Sequence, residues 1–119
     1  MSIENIVRNL RESKNSMTPE LQDIASELHQ KLDKEVTEYM VDGGFPREEV
    51  KDYTRVDVTF QEGNLYIEIG AELSYRWLDE LCDKLNPIVA QYDEYAYFEP
   101  AQPGIIVSYV SLDEMEKLL

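Results

Sequence analysis

The segment RVDVTFQEGNLYIEIGAE, residues 55 to 72, restricts the fold more than any other part of the chain. Apolar and polar residues alternate on both sides of Gly63-Asn64, which is the pattern of two strands joined by a two-residue turn. We predict that Gly63 and Asn64 adopt positive φ angles and that Glu62 faces Leu65. Because a slip of one residue would expose the aliphatic side chains to water, the alternation also determines which side chains face the core.

The predicted pairing divides this first hairpin into an apolar and a polar face. The apolar pairs are Phe60 with Ile67, Val58 with Ile69, and Val56 with Ala71. The polar pairs are Gln61 with Tyr66, Thr59 with Glu68, Asp57 with Gly70, and Arg55 with Glu72.

Helical patterns flank the hairpin on both sides. Ile3, Ile6, Val7 and Leu10 follow the i, i+3, i+4, i+7 spacing of a short helix over 3–13. Thr18-Pro19-Glu20 opens a second helix over 19–41, which Asp42-Gly43-Gly44 stops. The two would form an N-terminal helical hairpin over 1–44.

A third predicted helix begins after Ser74 and passes through Trp77, Leu78, Leu81, Cys82 and Leu85. Pro87 interrupts its apolar stripe, so we expect a kink there or a restarted helix capped by Asn86. Ser111 and Glu114 have the spacing of a capping box for a last short helix over 111–119.

Residues 96–110 predict a second hairpin, AYFE and IIVSYV, joined by the loop PAQPG. In the expected register Phe98 pairs with Ile106 and Ala96 with Ser108 on one face. The other face carries the pairs Tyr97 with Val107 and Tyr95 with Tyr109.

These elements predict a single α+β domain over 1–119 with the order ααββαββα. Its core is a ββαββ unit over 55–110, folded as one four-stranded antiparallel sheet of two hairpins with helices packed on one face. The pattern leaves open whether the helix over 19–41 covers the other face of the sheet.

The net charge of the chain restricts the classes of partner that it is expected to bind. There are 25 acidic and 11 basic residues, a net charge of −14. Binding to DNA, RNA or an anionic membrane requires cationic groups, so we expect no direct nucleic-acid or membrane partner. The 32 residues between Lys84 and Lys117 contain no lysine or arginine. The first 17 residues have the opposite sign, with three basic residues and two acids.

The sequence predicts a soluble, cytoplasmic protein. No apolar run approaches the ~20 residues that span a bilayer, and the first residues lack the apolar stretch of a signal peptide. The single cysteine, Cys82, allows no internal disulfide.

No motif in the chain predicts catalysis or a cofactor. His29 falls outside the apolar stripe of its helix, which is typical of a solvated histidine, and Cys82 lies on a stripe, which is typical of a buried thiol. Asp57, Glu68 and Glu72 share the polar face of the hairpin and could bind a divalent metal. However, no lysine lies between Lys51 and Lys84, whereas metal-dependent nucleases usually set one beside their acids.

The segment YDEYAYFEP, residues 92 to 100, concentrates aromatic and acidic side chains. If both hairpins join one sheet, its polar face collects four tyrosines beside the hairpin acids. Tyrosine is enriched at protein interfaces, and acids around it would attract a basic partner. The candidate partner-binding residues are Asp57, Glu68, Glu72, Tyr66, Tyr95, Tyr97, Tyr109, Asp93, Glu94 and Glu99.

The leading hypothesis is a non-enzymatic acidic interaction module. It would bind a basic protein surface, such as that of a nuclease or another nucleic-acid-binding protein, and inhibit it by mimicking nucleic acid, in the manner of a defence-system inhibitor or an immunity protein. One alternative is a homodimeric assembly protein that uses the tyrosine face as its self-interface. Another is a small divalent-metal-dependent enzyme that uses the hairpin carboxylates. A face that is covered by a helix, or one that is simply solvated, is the structural alternative to all three.

Overall fold

The computed structural model describes residues 18–119, so the helix predicted over 3–13 lies outside the described residues. The first described helix, α1, runs over Pro19–Asp42. Its start is set locally, because the Thr18 hydroxyl accepts a hydrogen bond of 3.2 Å from the Leu21 amide. Its end is set by Gly44, whose φ of +104° lies in the left-handed region that favours glycine.

After α1 the chain forms a 3-10 turn, Arg47–Glu49, and a one-turn helix α2, Val50–Tyr53. The remaining elements are β1 Thr54–Gln61, β2 Asn64–Ala71, α3 Tyr75–Val89, β3 Glu99–Gln102, β4 Ile105–Ser111 and α4 Leu112–Glu116. All strand pairs are antiparallel and the sheet order is β1-β2-β4-β3. The α+β class, the four-stranded sheet of two hairpins and the order ααββαββα are confirmed.

The strand pairing of the first hairpin is shifted by two residues from the predicted register. Gln61 faces Asn64, so the turn residues are Glu62 and Gly63, and only Gly63 has a positive φ, +80°. One glycine at the third turn position is sufficient for this geometry, and Asn64 is then free to join β2. Phe60 therefore pairs with Leu65 rather than Ile67. The shift is even, so every side chain keeps its predicted face.

The second hairpin is shorter than predicted. β3 begins only at Glu99, which pairs with Val107, and an irregularity follows at Pro100 before the turn at Pro103-Gly104. The pairs predicted for Tyr95, Ala96, Tyr97 and Phe98 do not form. Side-chain acceptors replace the strand ladder in this segment, since the Phe98 amide donates to Asn86 Oδ1 at 2.7 Å.

Two predicted helix caps are also absent. Helix α3 continues through Pro87 as one element, and Asn86 binds the Phe98 amide instead of capping a new helix. Ser111 precedes α4 without a capping hydrogen bond from its side chain. Its amide donates to Asp93 Oδ2 at 3.0 Å, which takes the place of the predicted contact with Glu114.

The core lies on one face of the sheet. Leu65, Ile67 and Ile69 of β2 join one buried cluster with residues from all four described helices. The α1 members are Leu21, Ala25, Leu28, Leu32, Val36 and Met40. Helix α1 therefore covers the apolar face, which answers the question that the sequence leaves open. No helix within residues 18–119 is both long and apolar enough to span a membrane, and the cytoplasmic location stays a prediction.

Candidate interaction surface

The opposite face of the sheet, called here the outer face, has a pair of tyrosines on its two central strands, towards one end. Tyr66 of β2 lies beside Tyr109 of β4, with ring centroids 5.1 Å apart and an interplanar angle of 48°. The Tyr66 hydroxyl donates to Glu68 Oε1 at 3.0 Å. Desolvation, followed by the contact with the Glu68 carboxylate, raises the pKa of the Tyr66 phenol. The pair is therefore a fixed aromatic platform, with Tyr109 52% exposed.

The segment that carries Tyr95 and Tyr97 is attached to the fold at both ends. Asp93 is only 7% exposed, and its two carboxylate oxygens accept hydrogen bonds of 3.0 Å from the amides of Tyr95 and Ser111. At the other end Phe98 is buried and its amide is bound by Asn86. Tyr95 and Tyr97 are left 73% and 59% exposed between these two anchors.

These attachments place the segment beside the end of β4. Asp93 contacts Ser111, the last residue of β4, and Glu99 pairs with Val107. Residues 94–98 therefore run along the end of β4 that carries Tyr109. We call the exposed set at this end the tyrosine surface: it consists of Tyr66, Tyr95, Tyr97, Tyr109, Glu94 and Glu99.

The acids of the first hairpin are partly neutralised. Arg55 contacts both Asp57 and Glu68, the latter at 2.7 Å, and Asp57 and Glu68 are direct cross-strand neighbours. The hydrogen bond from Arg55, followed by that from Tyr66, lowers the pKa of the Glu68 carboxyl. The Arg55 guanidinium lies over Gly70, at a distance where a Cβ atom would make ordinary van der Waals contact. Asp57 and Glu68 thus form an ion-pair network in which the carboxylates are not free.

The acids of the tyrosine surface form no such ion pairs within residues 18–119. Glu94 and Glu99 are exposed, and within the described residues neither forms a salt bridge. Interaction with Glu94 raises the pKa of the Tyr95 phenol. Arg55 is the only basic residue in the four strands, and the cation-free stretch from 85 to 116 includes Tyr95, Tyr97 and Tyr109. The surface therefore combines aromatic area with negative charge, which Lys117 offsets in part because its charge acts on Tyr95 and Glu94.

Four of the ten predicted site residues do not belong to this surface: Asp57 and Glu68, which Arg55 binds, and Asp93 and Glu72. Asp93 is buried and holds backbone amides, so its role is structural and we remove it from the binding set. Glu72 follows β2 at the opposite end of the sheet, where it lines an open cleft of about 490 Å³ with Asp52 and Arg55. The remaining predicted residues lie on the outer face or directly beside it.

The titratable groups outside this surface have structural settings. His29 donates from Nε2 to the carbonyl of Val56 at 3.0 Å, so it binds the free edge of β1 rather than solvent alone. Burial raises the pKa of the Cys82 thiol to about 11, which keeps it protonated at neutral pH. In the part of the chain from 18 onward, no group of three or more His, Cys, Asp or Glu residues is arranged to hold a metal ion.

One surface feature was missed by the sequence reasoning. Trp77, assigned there to the buried stripe of α3, is 48% exposed and lines a cavity of about 430 Å³ with Tyr39, Phe45 and Leu73. The run Tyr75-Arg76-Trp77 indicates this exposure, because three consecutive side chains point in different directions around a helix. A helix packed on a core therefore buries few of them. This cavity lies with Leu73 at the end of the sheet away from Tyr109.

No family model, curated protein or solved structure matches this chain. The function is therefore inferred from the chemistry of the surface itself.

Proposed function

We propose that this protein is a non-enzymatic interaction module that binds a basic protein through the tyrosine surface. The observation that carries the proposal is the fixed exposure of Tyr95, Tyr97 and Tyr109 at one end of a sheet face that no helix within 18–119 covers. Because the backbone of this segment is anchored at both ends, it loses little conformational entropy on association. Tyrosine is also among the residues that contribute most to binding energy at interfaces.

The charge distribution supports a basic partner. Glu94 and Glu99 flank the exposed tyrosines, and no cation lies between residues 85 and 116; Lys117, just beyond, offsets the charge of Glu94 in part. A field of one sign accelerates encounter with an oppositely charged partner and makes association depend on salt. The hairpin acids contribute less than the sequence suggests, because Arg55 is bound to Asp57 and Glu68.

The partner class that fits best is a nucleic-acid-binding protein. Its basic groups are placed to contact phosphates, and exposed carboxylates can occupy them in the same way. Binding of this module would then exclude DNA or RNA from the partner, which makes the module an inhibitor. Competition with nucleic acid is the property that separates this proposal from simple docking.

Self-association through the same tyrosines is the second candidate. The Tyr66–Tyr109 pair offers an aromatic contact area that a second copy could share. A two-fold interface would, however, bring Glu94 and Glu99 of both copies close to each other, so the acids would have to lie at its rim. Light scattering on the purified protein separates a dimer from a monomer that awaits a partner.

The test is affinity capture from a nuclease-treated lysate with three baits: the wild type, the double variant Tyr95→Ala/Tyr97→Ala, and Tyr75→Ala as a matched control. Tyr75 is as exposed as Tyr95, at 70% against 73%, but lies on α3. Bound proteins are eluted with a DNA or RNA duplex at low salt and, separately, with 0.5 M salt as roughly three times physiological ionic strength.

We expect a basic protein that the wild type and Tyr75→Ala retain and that nucleic acid releases. The double variant should bind it at least about tenfold more weakly, because two central aromatic contacts are lost. Equal capture by all three baits would reject the tyrosine surface. Capture that nucleic acid does not reverse would reject inhibition by mimicry.

A further inference from the structure

Residues 1–17 differ from the rest of the chain in charge. They contain Arg8, Arg11 and Lys14 against two acids, whereas residues 18–119 contain 23 acids and 8 basic residues. A segment of net positive charge is thus joined to a strongly acidic body. Opposite charges at such short separation along the chain favour contact between them.

The same segment has an apolar stripe. Ile3, Ile6, Val7 and Leu10 recur at the i, i+3, i+4, i+7 spacing, which places apolar residues on one side and basic residues on others if the segment is helical. A basic amphipathic segment of this kind requires an acidic surface with apolar area. The tyrosine surface offers both, through its exposed rings and through Glu94 and Glu99.

The start of α1 also lies at the end of the molecule that carries the tyrosine surface. Glu27, in the N-terminal half of α1, accepts a hydrogen bond of 2.9 Å from the hydroxyl of Tyr92, the residue before Asp93. Helix α1 contacts α4, whose first amide, that of Leu112, donates to the carbonyl of Gly63 in the β1–β2 turn. The start of α1 therefore lies near the sheet end that carries Tyr109, whereas the Trp77 cavity lies near the end of α1.

We infer that residues 1–17 bind the tyrosine surface of their own chain and occupy it as an internal basic ligand. The length is sufficient, because even a helical 17-residue segment extends about 25 Å from Thr18. Tethering gives the segment a high effective concentration, so a weak contact is enough for substantial occupancy. A partner at the same site must displace it, and its apparent affinity falls by the fraction of molecules in which the surface is open.

The docking itself can be tested without a partner. A nitroxide label is attached to Ser2→Cys in the full chain, where the raised pKa of buried Cys82 keeps the native thiol unlabelled; mock labelling of the wild type checks this. Amide signals are compared between the paramagnetic and the reduced label. We expect at least about twofold loss of intensity at Tyr95, Tyr97 and Tyr109, with little change at Tyr75.

The matched control is Arg8→Glu/Arg11→Glu/Lys14→Glu in the same labelled chain, which keeps the apolar stripe and reverses the charge. Signal loss should disappear in this variant and decrease at high salt. Equal loss at both ends of the sheet, no loss, or loss that survives charge reversal would overturn the inference.

The inference that a partner competes with residues 1–17 rests on the proposed function. The docking of residues 1–17 and the binding of a partner are therefore measured separately. With a captured partner, Ile6→Ser/Leu10→Ser, which disrupts the apolar stripe without changing the net charge, should bind at least about threefold more tightly than the wild type, since the internal ligand is weakened. If the labelled chain shows the signal loss but no partner is captured, the docking stands and the proposed function is rejected. A partner whose affinity is unchanged by Ile6→Ser/Leu10→Ser would reject the competition.

Discussion

Replacing Asp93 with alanine should destabilise the fold by about 2–4 kcal/mol, because both of its carboxylate oxygens accept backbone hydrogen bonds. Each hydrogen bond to a charged acceptor contributes about 1.5–3 kcal/mol, and the sum is reduced here because the Tyr95 amide can bind water once the segment is released. Asp93→Asn keeps one acceptor oxygen and should cost about half as much. The exposed Asp83 provides the control, since Asp83→Ala should change stability by no more than about 0.5 kcal/mol.

The assay is urea unfolding monitored by fluorescence and circular dichroism, with the midpoints of all three variants compared at constant slope. Hydrogen exchange at residues 94–98 should also accelerate in Asp93→Ala, because the segment loses the anchor to Ser111. A midpoint for Asp93→Ala equal to that of Asp83→Ala would refute the claim that Asp93 fixes the tyrosine segment. Asp93 would then return to the set of candidate binding residues.

Three further predictions concern other parts of the fold. Arg55→Gln should raise the depressed pKa of Glu68 toward 4.5 in an NMR titration. It should also remove the stability that the ion pair contributes at neutral pH, which the wild type loses only as the pH falls below 4.5. An unchanged Glu68 pKa would contradict the ion pair. Cys82 should react slowly with a thiol reagent at pH 8 until urea unfolds the chain, since its pKa is about 11; immediate reaction would show that it is accessible. Gly104→Ala should lower stability by about 1–2 kcal/mol, because φ is +77° and the new Cβ would lie 3.2 Å from the Ala71 carbonyl oxygen; an unchanged melting temperature would argue against this turn.

Periodicity predicted the faces of the sheet correctly, because side-chain direction in a strand depends only on parity. Leu65, Ile67 and Ile69 lie in the core as expected, although the hairpin register differs by two residues. The turn was misplaced because Glu62-Gly63 and Gly63-Asn64 both offer one glycine, and local sequence does not select between them. Tertiary contacts such as the Leu112 amide on the Gly63 carbonyl are specific to the folded chain.

The second hairpin shows where strand patterning fails. The residues before Glu99 alternate like a strand, yet their amides bind the side chains of Asp93 and Asn86 instead of a neighbouring strand. The Phe98–Asn86 bond spans 12 residues and the Ser111–Asp93 bond spans 18, so no local pattern reveals these two, whereas the Tyr95–Asp93 bond spans only two. Asp93 was misassigned for this reason, since a carboxylate in an acidic run looks the same whether it is exposed or buried.

Counting charges in the sequence identified the acidic region but did not show which of its acids are paired with a cation. The sequence grouped Asp57, Glu68 and Glu72 as one set, whereas Arg55 binds the first two and Glu72 lies at the sheet end. Arg55 was visible on the same face, but its contact with both acids depends on the observed register, in which Asp57 lies directly opposite Glu68.

The most direct test of the central claim is hydrogen–deuterium exchange of the protein with and without the captured basic partner. Binding through the tyrosine surface predicts protection at residues 94–99 and 107–111, with unchanged exchange in α3 around Trp77. Protection confined to α3 and the cavity at Trp77, with none at 94–99, would contradict the assignment of the tyrosine surface as the binding site.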